Sequence, residues 1–299
     1  MSAGDPTGTA TSVAGVALEH PVLNAAGTAK SRDDVARLAR SPVAAVTLGS
    51  ITKEPRDGNA GEVYASRSGY AVNALGMPNR GSAFYRDLLP ELAATTRAAG
   101  KPLIVSVAGF SPDECGELAH LAGDGGADLV ELNLGCPNVW SEGEQERIMS
   151  FDPELVSRSL RAAAGTAVPV GVKLSPLSDP VLLAEVASAA ADAGARFVVS
   201  CNTFPNGLVV RTDGRPAIDV GFGGVSGGAM KPIALGQVAQ LRSLLPTEVD
   251  IVGCGGVRSG QDVRDLLAAG AAAVGLATTY WDAAEDPGVF TDLLADWLG

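Results

Sequence analysis

A (β/α)8 TIM barrel with extra loops over its C-terminal face follows from three features of this sequence. Eight short β-rich apolar runs recur along 299 residues, with helical segments between them. A chain of this length suits one closed barrel better than an open sheet. Two connections, residues 52–80 and 205–230, are much longer than the rest. Both begin where a strand ends, so in a barrel both stand over the C-terminal face.

The expected strands are residues 21–25, 44–48, 103–107, 129–133, 168–173, 197–201, 250–253 and 272–276. Amphipathic helices are expected at 31–39, 82–98, 112–121, 153–163, 180–193, 232–244, 260–268 and 287–298. Ser111, Asp152 and Asp179 supply side-chain acceptors where helices open, and Gly100 and Gly125 stand where others close. Nothing in the chain reads as a linker or repeat, so residues 1–299 are expected to form a single domain.

Composition narrows the function. The chain is 46% hydrophobic and 19% charged, enough apolar material for a large core. A net charge of -12 argues against nucleic acid and anionic membrane, both of which need a basic face, and leaves a small molecule as the expected partner. Cys115, Cys136, Cys201 and Cys254 form no CxxC pair, and with only two histidines no metal site is expected. The first twenty residues lack both Lys/Arg and an apolar run, so neither a signal peptide nor an anchor is expected and the reading is cytoplasmic.

The segment ELNLGCPN, residues 131–138, carries the most chemistry. An apolar strand ends in Asn133, and a glycine turn then presents Cys136, a proline and Asn138 at the sheet's C-terminal edge. Two amides and a thiol on one loop need partners, and a bound heterocycle supplies them.

That segment resembles the catalytic loop of the soluble class 1 dihydroorotate dehydrogenases, FMN enzymes with a (β/α)8 fold. NAAG (24–27) is similar to the family's first flavin-contacting turn, and EPRDGN (54–59) with VNALGMPNRG (72–81) to its substrate loop. GVKL (171–174) and CNTFPNGL (201–208) match its lysine strand and second substrate turn, and GFGGVSGGAMKP, GCGGVRSGQD and LATT its phosphate end. FYRDLL (84–89) leans toward the fumarate-using class 1A.

The resemblance implies roles. Cys136 would be the base that removes one proton, with the hydride going to flavin N5; a thiol of reference pKa ~8.5 serves if nearby dipoles favour thiolate. Lys173 would set its ammonium against the flavin ring. Asn73, Leu75, Gly76, Met77, Asn133, Asn138, Asn202 and Thr203 would contact the substrate, the amides matching a pyrimidine's N–H and C=O edges. Ala25, Ala26, Gly27, Gly49, Ser50, Asn133, Lys173, Gly227, Gly255, Gly256, Ala277 and Thr278 would contact FMN, with the helix opening near Gly260 lending its positive end to the phosphate. Fumarate as acceptor and a homodimer are also implied. No NAD-binding segment or iron–sulfur cysteine cluster is seen.

The pattern breaks at Gly49, in VTLGSIT, where the family carries a lysine near flavin and the substrate carboxylate. Lys53, four residues downstream, is not expected to reach the same place. Trp140 stands where a small residue or proline is usual, Ala277 where glycine is usual, and Ala26 where serine is common. Three readings follow. The chain oxidises dihydroorotate with an altered anchor, or it acts on another dihydropyrimidine or enone-like metabolite in specialised metabolism, or it is a flavin-binding homologue that has lost turnover.

Overall fold

A computed structural model describes residues 9–141, 144–145 and 147–299. Eight parallel strands form the barrel: Val22–Asn24, Val46–Ile51, Leu103–Val107, Leu129–Asn133, Val170–Leu174, Phe197–Ser200, Asp250–Cys254 and Ala273–Leu276. From the second strand to the eighth each pairs with the next, and the eighth pairs with the first through Val274 opposite Val22. Their side chains are almost all buried, as expected for strands covered on both faces.

The seam between the first and second strands is closed partly by a side chain. Ala44 N–H donates to the Val22 carbonyl at 2.9 Å. Above it, Asn24 replaces a missing ladder rung: its amide Nδ2 donates to the Thr47 carbonyl at 2.8 Å, and its Oδ1 accepts from the Thr47 N–H at 2.9 Å. Asn24 thereby satisfies buried backbone groups that would otherwise be left without partners.

The helices ring the barrel, and their starts show why the residues adopt this state. Ser111, Asp152 and Asp179 each cap a helix whose first residue is proline, Pro112, Pro153 or Pro180. The cap satisfies an open N–H, and proline gives up an N–H that has no helical acceptor anyway. Among the described residues no helix is long and apolar enough to cross a membrane.

Among the described residues, several features lie outside the expected elements. A hairpin, Thr11–Val13 with Val16–Leu18, buries Val13 and Leu18 beside Phe197 and Ala273; it is tied by Ala14 N–H to Asp250 Oδ2 at 2.7 Å, where the seventh strand begins. The two long connections are not irregular: Tyr64–Arg67, Tyr70–Asn73, Phe204–Gly207 and Gly223–Ser226 form one four-stranded antiparallel sheet. This sheet has a small core of its own, including Val72, Val209 and Ile218. A short helix, Thr278–Asp282, follows the eighth strand directly. The second strand also runs later than expected, to Ile51, with an irregular register between Leu48 and Ile51.

Candidate active site

The strands' C-terminal ends and the four-stranded sheet enclose a cavity of about 1020 Å³, counting its open mouth. Strand ends supply Ala25, Ala26 and Gly27, then Ser50, Asn133, Lys173, Cys201 and Cys254. Loops beyond them add Cys136, Asn138, Asn202, Thr203, Gly255, Gly256, Ala277 and Thr278. The antiparallel sheet and its flanks bring Asn73, Leu75, Gly76, Met77 and Gly227. All the anticipated site residues therefore share one cavity, with Gly49 as the exception.

Beneath the cavity runs a buried polar chain with a defined direction. Ser106 Oγ donates to Glu131 Oε1 at 2.6 Å, so the Ser50 hydroxyl, 2.9 Å away, must donate to Ser106. Ser50 in turn accepts from Asn133 Nδ2 at 2.8 Å, and Asn133 Oδ1 accepts from Asn202 Nδ2 at 3.0 Å. Asn202 Oδ1 accepts from the Thr203 N–H at 2.8 Å. One carboxylate thus orients two serines and two cavity asparagines, because every member has only one arrangement that satisfies its neighbours.

The Lys173 ammonium lies 4.0 Å from Glu131 Oε1, and both side chains are buried. Burial alone would lower this lysine. The Glu131 carboxylate, with the thiols of Cys254, Cys201 and Cys136, outweighs burial and holds it above its ordinary value, so it is charged at neutral pH. At 4.0 Å the pair is too long for a hydrogen bond, leaving the ammonium's donors available to the cavity.

Across from it, the other amides also pair. Asn138 Nδ2 donates to the Asn73 carbonyl at 2.9 Å and to its side-chain Oδ1 at 3.2 Å, which ties the cysteine loop to the sheet above. The four asparagines thus form two hydrogen-bonded couples. Cys136, two residues before Asn138, faces the same cavity. Burial pushes its thiol up; the Asn138 backbone N–H and the charges of Lys173, Arg56 and Lys30 oppose this without cancelling it. The groups that favour thiolate are thus outweighed, because desolvation is the larger effect.

At the other wall, Gly227, Gly255 and Gly256 have φ of +80°, +119° and +82°. In this left-handed region glycine is unstrained. Among the described residues, none of their three N–H groups has an acceptor within the chain. The helix opening at Gly260 does not join them. Ser259 and Asp262 form a capping box there, and the Gly260 N–H donates to Asp296 Oδ2 at 2.6 Å. Two acidic side chains already occupy that helix end, which removes it as an anion site and corrects the expectation from sequence. The short helix Thr278–Asp282 begins at the cavity instead, and its N-cap residue, Ala277, makes no side-chain cap.

A family model for dihydroorotate dehydrogenase matches residues 9–295 of this chain. The chain belongs to that family. Its members are oxidoreductases acting on a CH–CH bond. The chain is 39% identical to the protein named dihydroorotate dehydrogenase B (NAD(+)), catalytic subunit, of Methanopyrus kandleri, over 87% of this chain and 81% of that one. It is 34% identical to the protein of the same name from Desulforudis audaxviator, over 90% and 86%. It is 33% identical to dihydroorotate dehydrogenase A (fumarate) of Lacticaseibacillus paracasei, over 94% and 95%.

Within this dihydroorotate dehydrogenase fold, Gly49 is not among the residues that line the cavity, although the next residue, Ser50, is. The φ of Gly49 is +111°, and a Cβ there would lie 2.3 Å from the Ser106 carbonyl oxygen. The backbone excludes any side chain at this position. Gly49→Ala is expected to lower stability by about 2–5 kcal/mol from strain and overlap, read as a shift in the denaturant midpoint. A loss below about 1 kcal/mol would show that the strand can yield. Lys53 does not substitute: it is exposed and pairs with Glu117 at 2.7 Å.

Sequence reasoning missed several cavity residues. Cys201 and Cys254 line it with thiols that burial pushes up to about 12 and about 11. Trp281 and Lys30 also line it, and Lys30 follows the NAAG turn by three residues, where it reads as a helix-flanking surface lysine. The Trp140 side chain, singled out as a departure, lies outside the described residues.

Proposed function

We propose that this chain is an FMN-dependent dehydrogenase that oxidises dihydroorotate to orotate, with Cys136 as the base. One observation carries the reading: Cys136, Lys173 and both asparagine couples line the cavity that also holds the N–H groups of Gly227, Gly255 and Gly256, which have no acceptor among the described residues. Three unused amides on left-handed turns, next to the loop after the eighth strand, suit a phosphate, in the region where barrels commonly bind one. The residues fit FMN on that ground. When bound, the flavin would supply the hydride acceptor.

The chain's own residues would do the rest. Asn73, Asn133, Asn138 and Asn202 hold the heterocycle by neutral donors and acceptors whose direction Glu131 and the couples enforce. The Cys136 thiolate removes the proton from the ring carbon next to the one losing hydride, and the resulting thiol keeps it until solvent takes it up. Lys173, held charged by Glu131, offsets the negative charge that accumulates opposite the base. Fumarate is the proposed acceptor, supported by the name of the Lacticaseibacillus relative; delivery through a partner subunit is the second route, supported by the name of the Methanopyrus relative.

Gly49 favours a second reading, a related dihydropyrimidine without the carboxylate. Anaerobic mixing of the yellow protein with dihydroorotate or with dihydrouracil separates the two. Rapid bleaching near 450 nm by dihydroorotate alone supports the first reading. Bleaching by dihydrouracil alone supports the second, and a stable oxidised spectrum with both contradicts the dehydrogenase assignment.

A further inference from the structure

The cavity lining contains two cations, Lys30 and Lys173, and no aspartate or glutamate. Lys173 has Glu131 beside it. Lys30 has no carboxylate within ion-pair distance among the described residues. The nearby acids are engaged elsewhere: Asp34 Oδ1 and Glu285 Oε2 both bind the Arg37 guanidinium at 2.9 Å, and Asp34 Oδ2 accepts the N–H groups of Lys30 and Ser31.

The backbone of Lys30 is fixed where its side chain can act. Its N–H is held by Asp34 at 3.0 Å, and its carbonyl accepts from the Tyr85 hydroxyl at 2.8 Å. The turn before it is bonded to Gly49 on both sides: Gly27 N–H donates to the Gly49 carbonyl at 2.6 Å, and Gly49 N–H donates to Ala29 at 2.9 Å. Lys30 thus leaves the main chain beside Gly49, a strand-end position that has no room for a side chain. It also lines an adjoining surface recess of about 940 Å³, counting its open mouth, with Tyr64, Trp281 and Glu285 among others.

We infer that the Lys30 ammonium is the anion-recognising group of this cavity and binds the carboxylate of a planar heterocyclic substrate. A partly buried cation without a counter-charge is costly, and a ligand carboxylate relieves that cost while gaining a charge-assisted hydrogen bond. Burial pulls this lysine below its ordinary value; the charges of Asp34, Glu285 and Cys136 oppose that, and a bound carboxylate would raise it again. The inference deepens the function proposed above and rests on it for the heterocycle's position.

The test compares orotate with uracil, the same ring without the carboxylate, by calorimetric titration of the oxidised protein. The intact chain is expected to bind orotate at least about tenfold more tightly than uracil. Lys30→Met should weaken orotate by about 10- to 150-fold and change uracil by less than about threefold. Lys30→Arg should retain most of the preference, which distinguishes lost charge from lost fold. No orotate preference in the intact chain, or an unchanged preference in Lys30→Met, overturns the inference. Anaerobic reduction by dihydroorotate, followed on the intact protein, reports on the functional reading separately. A Lys30-dependent preference without reduction keeps the anion site and rejects the dehydrogenase, and reduction without that preference does the reverse.

Discussion

Replacing Cys136 with serine is expected to slow flavin reduction by dihydroorotate about 10²- to 10⁴-fold while leaving flavin binding intact. A serine hydroxyl occupies the same place on the loop but is a far weaker proton acceptor at neutral pH. Stopped-flow absorbance under anaerobic conditions reads the rate directly. The pH profile should report the thiol's environment as well. Only the thiolate can take a proton, and burial raises this thiol despite the Asn138 N–H, Lys173, Arg56 and Lys30. The rate should therefore climb with pH and keep climbing where an ordinary thiol, with pKa near ~8.5, would already have levelled off. A serine variant of undiminished rate would remove Cys136 from the chemistry.

Lys173→Met is expected to lower the two-electron potential of the bound flavin by about 60–90 mV. The buried ammonium favours negative charge on the ring, and losing a preorganised donor of this kind costs about 3–4 kcal/mol, with 30 mV equal to about 1.4 kcal/mol. The variant should also unfold more easily, because buried Glu131 loses the neighbouring ammonium and retains only the Ser106 hydroxyl among the partners described. Breaking a buried pair typically costs about 3–5 kcal/mol. Equilibration with redox dyes gives the first quantity and denaturant titration the second. A potential within about 10 mV of the unaltered protein would place Lys173 away from the flavin ring.

The barrel was legible because each strand is a short apolar run bounded by turn residues, and each helix carries its own start signal, as at Asp152–Pro153 and Asp179–Pro180. The hairpin at Thr11–Val13 and Val16–Leu18 was not, since three-residue strands carry too little alternation to stand out from an N-terminal segment. The four-stranded sheet was hidden for a different reason. Its strands come from connections more than a hundred residues apart, as with Asn73 opposite Gly224, so its pairing is a tertiary property.

In the cavity, motif residues were legible and their electrostatics were not. Lys30 carries no local signal beyond its place after a glycine turn. That it enters the cavity depends on backbone contacts with Gly49 and Tyr85. The Gly260 helix end was misread although the remedy lay in the sequence: Ser259 and Asp262 have capping-box spacing, which predicts an occupied N-terminus. Gly49 stood out by resemblance, but only the +111° φ and the Ser106 carbonyl explain why no side chain fits there.

The central claim is spatial: the substrate ring lies between the Cys136 thiol and the flavin. A crystal structure of the flavin-loaded protein with orotate tests it most directly. The account predicts orotate with one face toward the flavin and the Cys136 sulfur about 3–3.5 Å from the ring carbon on the opposite face. Orotate bound elsewhere, or with the sulfur and the flavin on the same side of the ring, would contradict it.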